Sequence, residues 1–290
     1  MPYKPGINVP CATSPLALIN ARLSARSQRG YLRLSALSRP ALAALTAVAA
    51  QTPADAQRLS ELGARNITVH GNLKFDVTPS PEKLQVGAQW RQQLGSRPIW
   101  LAASTREGEE QLIVDAFIRD NRPETLLLLV PRHPQRFAEV AALLEARQLS
   151  YCRRSTNVIP KAGTRVWLGD TMGEMPAYFA TADLALIGGT LLPFGGQNLI
   201  EAAACGCPVL VGPHTYNFAQ ATTDALTCGA ARRVVDADGA AAEAEKLLHD
   251  KDALQSMRDA ATDFSRAHRG ATARTLARIH EITAHEITAQ

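Results

Sequence analysis

The run Gly188-Gly189-Thr190-Leu191-Leu192-Pro193-Phe194-Gly195-Gly196-Gln197-Asn198-Leu199-Ile200-Glu201 joins the apolar segment Leu184 to Ile187 to a short helical pattern. Glycines let a backbone approach a ligand closely. Free N–H groups at a helix start favour a phosphate. A glutamate one turn in can hold two sugar hydroxyls. The spacing suits a seat for a nucleotide-activated sugar. It equally suits a plain cap, with Asn198 closing the helix start and Glu201 reaching back to it.

Three more polar clusters follow strand-like runs. Ser104 and Thr105 end Pro98 to Ala103 and precede Glu107 to Glu110. Their hydroxyls can cap the next helix or hold a phosphate or carboxylate. Pro131-Arg132-His133 ends Thr125 to Val130, where the Arg132 fork suits a phosphate and the prolines stiffen the turn. A solvated arginine beside a capping histidine is the alternative. Met172, Gly173 and Glu174 follow Val166 to Leu168. Gly173 permits backbone contact with a flat base and Met172 can pack on it, while Glu174 is also favoured at a helix start for structural reasons.

These clusters need elements that bring them together. Pro98 to Ala103, Thr125 to Val130, Val166 to Leu168, Leu184 to Ile187, Pro208 to Val211 and Arg232 to Val235 read as strands. Helical patterns such as Glu107 to Arg119 and Pro134 to Arg147 separate them. Apolar strands alternating with helices predict an α/β fold with a parallel sheet covered on both faces. Ligands of such sheets bind at the carboxyl ends of the strands, where the polar clusters fall. Ahead of Gly71, Ala21 to Ala50 reads as helical and basic and Ile67 to His70 as a short strand; from Ala240 onward the chain reads as helix.

Composition narrows the function class. The chain has 290 residues, 46% hydrophobic and 20% charged, with a net charge of +4, which is a globular balance without a nucleic-acid signature. Five cysteines, odd in number and without metal-finger spacing, fit a reducing compartment, and Cys205-Gly206-Cys207 reads as a buried turn. The longest soft apolar run, Ala41 to Ala50, is too short to span a membrane. Gly-x-Ser-x-Gly, P-loop and Gly-x-Gly-x-x-Gly patterns are absent, which disfavours a hydrolase elbow, a simple kinase and a dehydrogenase.

Five motifs together resemble the Kdo transferases of lipopolysaccharide synthesis: Asn20-Ala21-Arg22-Leu23-Ser24, Gly71-Asn72-Leu73-Lys74-Phe75-Asp76, Pro131-Arg132-His133, Gly169-Asp170-Thr171-Met172-Gly173-Glu174-Met175 and Gly195-Gly196-Gln197-Asn198-Leu199-Ile200-Glu201. The resemblance runs from about Leu18 to near the C-terminus. It implies a two-domain GT-B glycosyltransferase fold. It implies inverting transfer of Kdo, an eight-carbon acidic sugar, from CMP-Kdo to a lipid A precursor (lipid IVA), without metal or cofactor. By the same resemblance Arg132 faces the phosphate, Glu201 holds the ribose hydroxyls, and the backbone around Met172 and Gly173 meets the cytosine. Ser104, Thr105, Pro131, His133, Glu174, Asn198, Leu199 and Ile200 complete the implied binding set.

The resemblance also sets expectations for organisation. Residues 1–76 are expected to be a remnant of an N-terminal acceptor domain, 77–81 a linker, and 82–290 the complete Rossmann-like CMP-Kdo-binding domain with its C-terminal helices. Family members act at the cytoplasmic face of the inner membrane through an N-terminal anchor, and a glycine-rich loop near it bears the glutamate base. Fewer than twenty residues precede Asn20, and the first glutamate is Glu61. The chain is therefore expected to be a truncated or misassembled product that binds donor, lacks the base and has a cytoplasmic location. A non-catalytic nucleotide-sugar-binding protein is the alternative. An epimerase would need its own acid and base carboxylates.

Overall fold

The structure, a computed structural model, describes residues 15–120 and 122–288. Residues 1–14, with Cys11, lie outside the described residues. Two units divide the chain: Val77–Ala267, and Met1–Asp76 together with His268–Gln290.

The smaller unit contains β1 (Ala17–Ala21), α1 (Ala25–Arg33), α2 (Ser35–Ala43), β2 (Ala47–Ala50), α3 (Pro53–Glu61) and β3 (Ile67–Val69). The strands pair in parallel in the order β1-β2-β3. Reading Ala21 to Ala50 as one helical stretch is thus corrected. Ser24 caps α1 by accepting from the Ser27 amide, and all four residues of β2 are buried, so burial overrides the helix preference of alanine. A small core of Leu23, Val48, Leu59, Leu62 and Ala64 holds the unit.

The larger unit runs α4 (Pro81–Leu94), β4 (Ile99–Thr105), α5 (Glu109–Asp120), β5 (Leu126–Pro131), α6 (Phe137–Ala146), β6 (Tyr151–Arg153), β7 (Val166–Leu168), α7 (Met175–Thr181), β8 (Leu184–Ile187), α8 (Leu199–Ala204), β9 (Val209–Val211), α9 (Ala219–Thr227), β10 (Ala231–Arg233), α10 (Ala237–His249) and α11 (Lys251–Ala267). Its sheet has the order β10-β9-β8-β4-β5-β7-β6, with every neighbouring pair parallel. This is the expected doubly covered α/β sheet. Two details differ. Tyr151–Arg153 forms an edge strand that its polar sequence hides, and the last strand ends at Arg233 because Val235 already faces solvent.

Alternation along the strands feeds two layers. Trp100, Ala102, Leu127 and Leu129 pack with Ile113 and Phe117 of α5, Leu144 of α6 and Leu247 of α10. On other positions, Trp90 of α4 packs against Trp167 and Tyr178, with ring centroids 5.2 and 5.6 Å away. Strand β4 sits centrally. The chain moves to one side of it for β5 and returns to its other side for β8, which puts a topological switch point, the usual place for a ligand crevice, between β4 and β8.

The final helix, α12 (Ala271–Thr288), belongs to the smaller unit, whereas the sequence boundaries put it in the domain over 82–290. The cause is polar. Asp76 accepts from the Gly270 and Thr272 amides at its start, Arg274 donates to the His70 carbonyl at 2.7 and 3.0 Å, and Thr275 meets His70 Nδ1 at 3.2 Å. Pro81, expected in the linker, is the first residue of α4, with Ser80 as its cap.

Candidate functional site

Strand β4 ends in a bulge between Ala103 and Thr105, and Ser104 within it has a φ of 57°. Left-handed backbone is costly for a serine and persists only where neighbours enforce it. Gly188, at the end of β8, is one such neighbour: a β-carbon there would overlap the Ser104 carbonyl. Thr105 is another, because its carbonyl accepts from the Arg132 amide at 3.0 Å. Ser104 borders a cavity of about 420 Å³, and its hydroxyl has no partner among the described residues. Thr105 is fully buried, and its hydroxyl donates to Glu110 at 3.0 Å. Thr105 therefore supports the site from beneath and does not border the cavity.

Pro131 and Arg132 border the same cavity. The Arg132 guanidinium is exposed and has no hydrogen-bond or ion-pair partner among the described residues. His133 only opens a single turn over Pro134–Arg136, makes no capping bond and stands outside the cavity lining.

The loop after β7 supplies the third side. Gly169 is needed because a β-carbon would stand 2.7 Å from Val130 Cγ2. Asp170 accepts from Arg153 at 2.6 Å and from the Ser155 amide and hydroxyl at 2.8 and 2.6 Å. Burial alone would raise its pKa, but these bonds and the Arg153 charge hold it below the usual carboxylate value. Met172 and Gly173 border the cavity, Met172 exposed and Gly173 with a φ of 76°. Glu174 also borders it, but its carboxylate is engaged by Arg154 at 3.0 Å, by Thr171 and by Tyr178. Its main work is to brace this loop.

Helix α8 closes the site. Asn198 is its cap, with Oδ1 accepting from the Ile200 amide at 3.1 Å and Nδ2 donating to Glu201 Oε1 at 3.1 Å. Glu201 Oε2 has no partner among the described residues, and Glu201 borders the cavity. The capping arrangement is present, and it leaves one carboxylate oxygen available. Leu199 and Ile200, the first two residues of α8, are buried and take no part in the lining. A smaller adjoining cavity of about 110 Å³ is bordered by Ser104, Arg132, Gln197, Asn198 and Glu201.

Several lining residues were not singled out from the sequence: Val77 to Ser80, Thr171, Met175, Pro176 and Cys205. No pattern distinguishes them from ordinary loop and helix residues. Cys205 and Cys207 have no free reactivity to offer, because burial pushes the Cys205 thiol up to about 12 and that of Cys207 higher still. Glu109 was also overlooked, as an ordinary first-turn acid. A doubled acid directly after a strand end was the available signal.

Known proteins resemble this chain in sequence and fold. A family model described as group 1 glycosyl transferases covers residues 112–264, and one described as 3-deoxy-D-manno-octulosonic-acid (Kdo) transferase covers residues 10–77. A Kdo transferase of Bordetella pertussis is 48% identical over 268 residues, covering 90% of this chain and 62% of that protein. The chain belongs to the Kdo transferase family. Another Kdo transferase, from Haemophilus influenzae, is 35% identical over 90% of this chain and 63% of its own length. The chain thus spans less than two thirds of these two family members. The C-terminal CMP-Kdo binding domain of WaaA from Acinetobacter baumannii superposes with a TM-score of 0.61 at 29% identity, covering 64% of this chain and 98% of that domain. Anabaena HepE, solved with UDP and glucose, shares the fold, with a TM-score of 0.51 at 19% identity over 92% of this chain and 71% of its own. The expected GT-B glycosyltransferase fold is borne out.

Proposed function

We propose that this Kdo transferase family member binds CMP-Kdo in the cavity at the carboxyl ends of β4, β5, β7 and β8. The donor serves inverting transfer of Kdo to a lipid A precursor in lipopolysaccharide synthesis, at the cytoplasmic face of the inner membrane. The observation that carries the reading is the unpartnered Arg132 guanidinium bordering one cavity with the unpartnered Ser104 hydroxyl and the free oxygen of Glu201. A nucleoside monophosphate sugar presents one phosphate, a ribose diol and a flat base. Arg132 supplies charge for the phosphate, Glu201 accepts from ribose hydroxyls, and the backbone at Met172 and Gly173 leaves room for cytosine.

In the transfer, an acceptor hydroxyl gives its proton to a base outside this cavity lining as its oxygen attacks the anomeric carbon, while the bond to the CMP phosphate oxygen breaks and CMP departs with the electron pair. Arg132 stabilises the charge that grows on the departing phosphate. The residues lining this cavity bind and orient the donor, and none of them is assigned the role of base.

Calorimetry with CMP tests the reading. Arg132→Ala and Glu201→Ala are each expected to weaken binding by about ten- to a hundredfold, the effect of losing a charge-assisted hydrogen bond of about 1.5–3 kcal/mol. No binding by the unaltered chain, or binding by both variants as tight as that of the unaltered chain, would remove these residues from the donor site.

A further inference from the structure

The carboxylate of Glu109 is fully buried, and no arginine, lysine or histidine stands within ion-pairing distance of it among the described residues. Backbone amides take the place of a cation. Its Oε2 accepts from Gly189 at 2.6 Å and from Arg106 at 2.9 Å; its Oε1 accepts from Leu191 at 2.9 Å and Leu192 at 3.4 Å. One side chain at the start of α5 thereby ties the turn after β4 to the loop after β8, across 80 and more positions of sequence.

The tied loop leads directly to the candidate binding groups. It closes on itself, with the Gly196 amide donating to Gly189 and the Gln197 amide to Gly188, and then delivers Asn198 and Glu201. The neighbouring Glu110 does the matching work on the other side. It accepts from the Thr105 hydroxyl and from Arg136 at 3.2 Å, while Arg132 is joined to Thr105 by its amide.

We infer that Glu109 is a positioning residue for donor binding: it fixes the glycine-rich loop so that Glu201 and Ser104 keep their spacing across the cavity. The inference rests on the donor-binding reading above. A carboxylate that only stabilised the fold would be replaceable at a cost in folded fraction, with the remaining folded molecules binding normally. A positioning carboxylate changes the affinity of the folded molecules themselves.

Glu109→Gln separates these roles. The amide keeps the shape of the side chain but turns one acceptor into an NH₂ facing backbone N–H groups. Calorimetry with CMP reads folded fraction as stoichiometry and loop geometry as Kd. The expected result is a roughly tenfold or larger rise in Kd at unchanged stoichiometry, with the exposed Glu107→Gln as a control that leaves both unchanged. Hydrogen exchange on the unliganded chain is the second readout, with Gly189, Leu191 and Leu192 losing protection in Glu109→Gln while α10 keeps its own. Unchanged Kd and unchanged loop protection would overturn the inference, as would a fall in stoichiometry alone. If CMP fails to bind the unaltered chain, the donor reading falls on its own account. The exchange experiment then still decides whether Glu109 holds the loop.

Discussion

Gly188 and Ser104 meet at the centre of the site: the α-carbon of Gly188 lies so close to the Ser104 backbone that any β-carbon would overlap the Ser104 carbonyl carbon and oxygen and the Thr105 α-carbon. All of these atoms are backbone, so none can swing aside. Gly188→Ala is expected to cost about 1–3 kcal/mol, as overpacked sites do, and to weaken CMP binding because relief of the overlap must displace the Ser104 bulge. Chemical denaturation and calorimetry on the same preparation would check both. A stable variant with unaltered affinity would mean that the two strand ends are free to separate.

Ser104 permits the opposite experiment. Its φ of 57° is unfavourable for serine and ordinary for glycine. Ser104→Gly is therefore expected to leave stability unchanged or raise it by up to about 1 kcal/mol. The same change deletes the hydroxyl that borders the cavity, and CMP affinity is expected to fall by about two- to tenfold. Binding should weaken in this one variant without any loss of stability.

What could be read from the sequence depended on whether a residue's type revealed its surroundings. Strands β4, β5 and β8 were legible because central parallel strands are apolar throughout, as in Leu126 to Val130. Strand β2 was not, because Ala47-Val48-Ala49-Ala50 has helical character and becomes a strand only through burial. Arg132, Asn198 and Glu201 were legible as polar residues at strand ends. Glu109 was not, since all four of its partners are backbone N–H groups, three of them 80 to 83 positions away, and no residue type marks a backbone donor. Thr105 and Glu174 were assigned to ligand binding from their places after a strand and at a helix start, and only the geometry shows their polar atoms committed to protein partners.

Asp76 governs the end of the chain. Burial by itself would raise its pKa, but the Thr272 and Gly270 amides and the Arg274 charge hold it below its usual value. It acts as the cap of α12, and Asp76→Ala is expected to cost about 1 kcal/mol. Hydrogen exchange should show the loss first in the opening turns of α12, ahead of any change in α10 or α11. Loss of protection spread evenly over all three helices would mean that Asp76 does not act locally.

Asp170 makes stability depend on acid. Its folded pKa lies below the ordinary 3.8, because the Ser155 and Arg153 bonds outweigh the opposing effect of burial. A depressed carboxylate pKa means that the unfolded chain takes up the proton first as pH falls. The stability from this group is thus fully present above about pH 5 and is lost as pH drops through the folded value. Asp170→Asn removes the charge facing Arg153 and is expected to cost about 2–4 kcal/mol at pH 7, the range for hydrogen bonds and pairs of buried charged groups. Because asparagine does not titrate, the gap between unaltered protein and variant should shrink steadily below pH 5. Denaturant midpoints at pH 7, 5, 4 and 3 would measure it. A gap that stays constant across that range would mean that the Arg153–Asp170 pair contributes no linked proton, and that the loop carrying Met172 and Gly173 is held by other means.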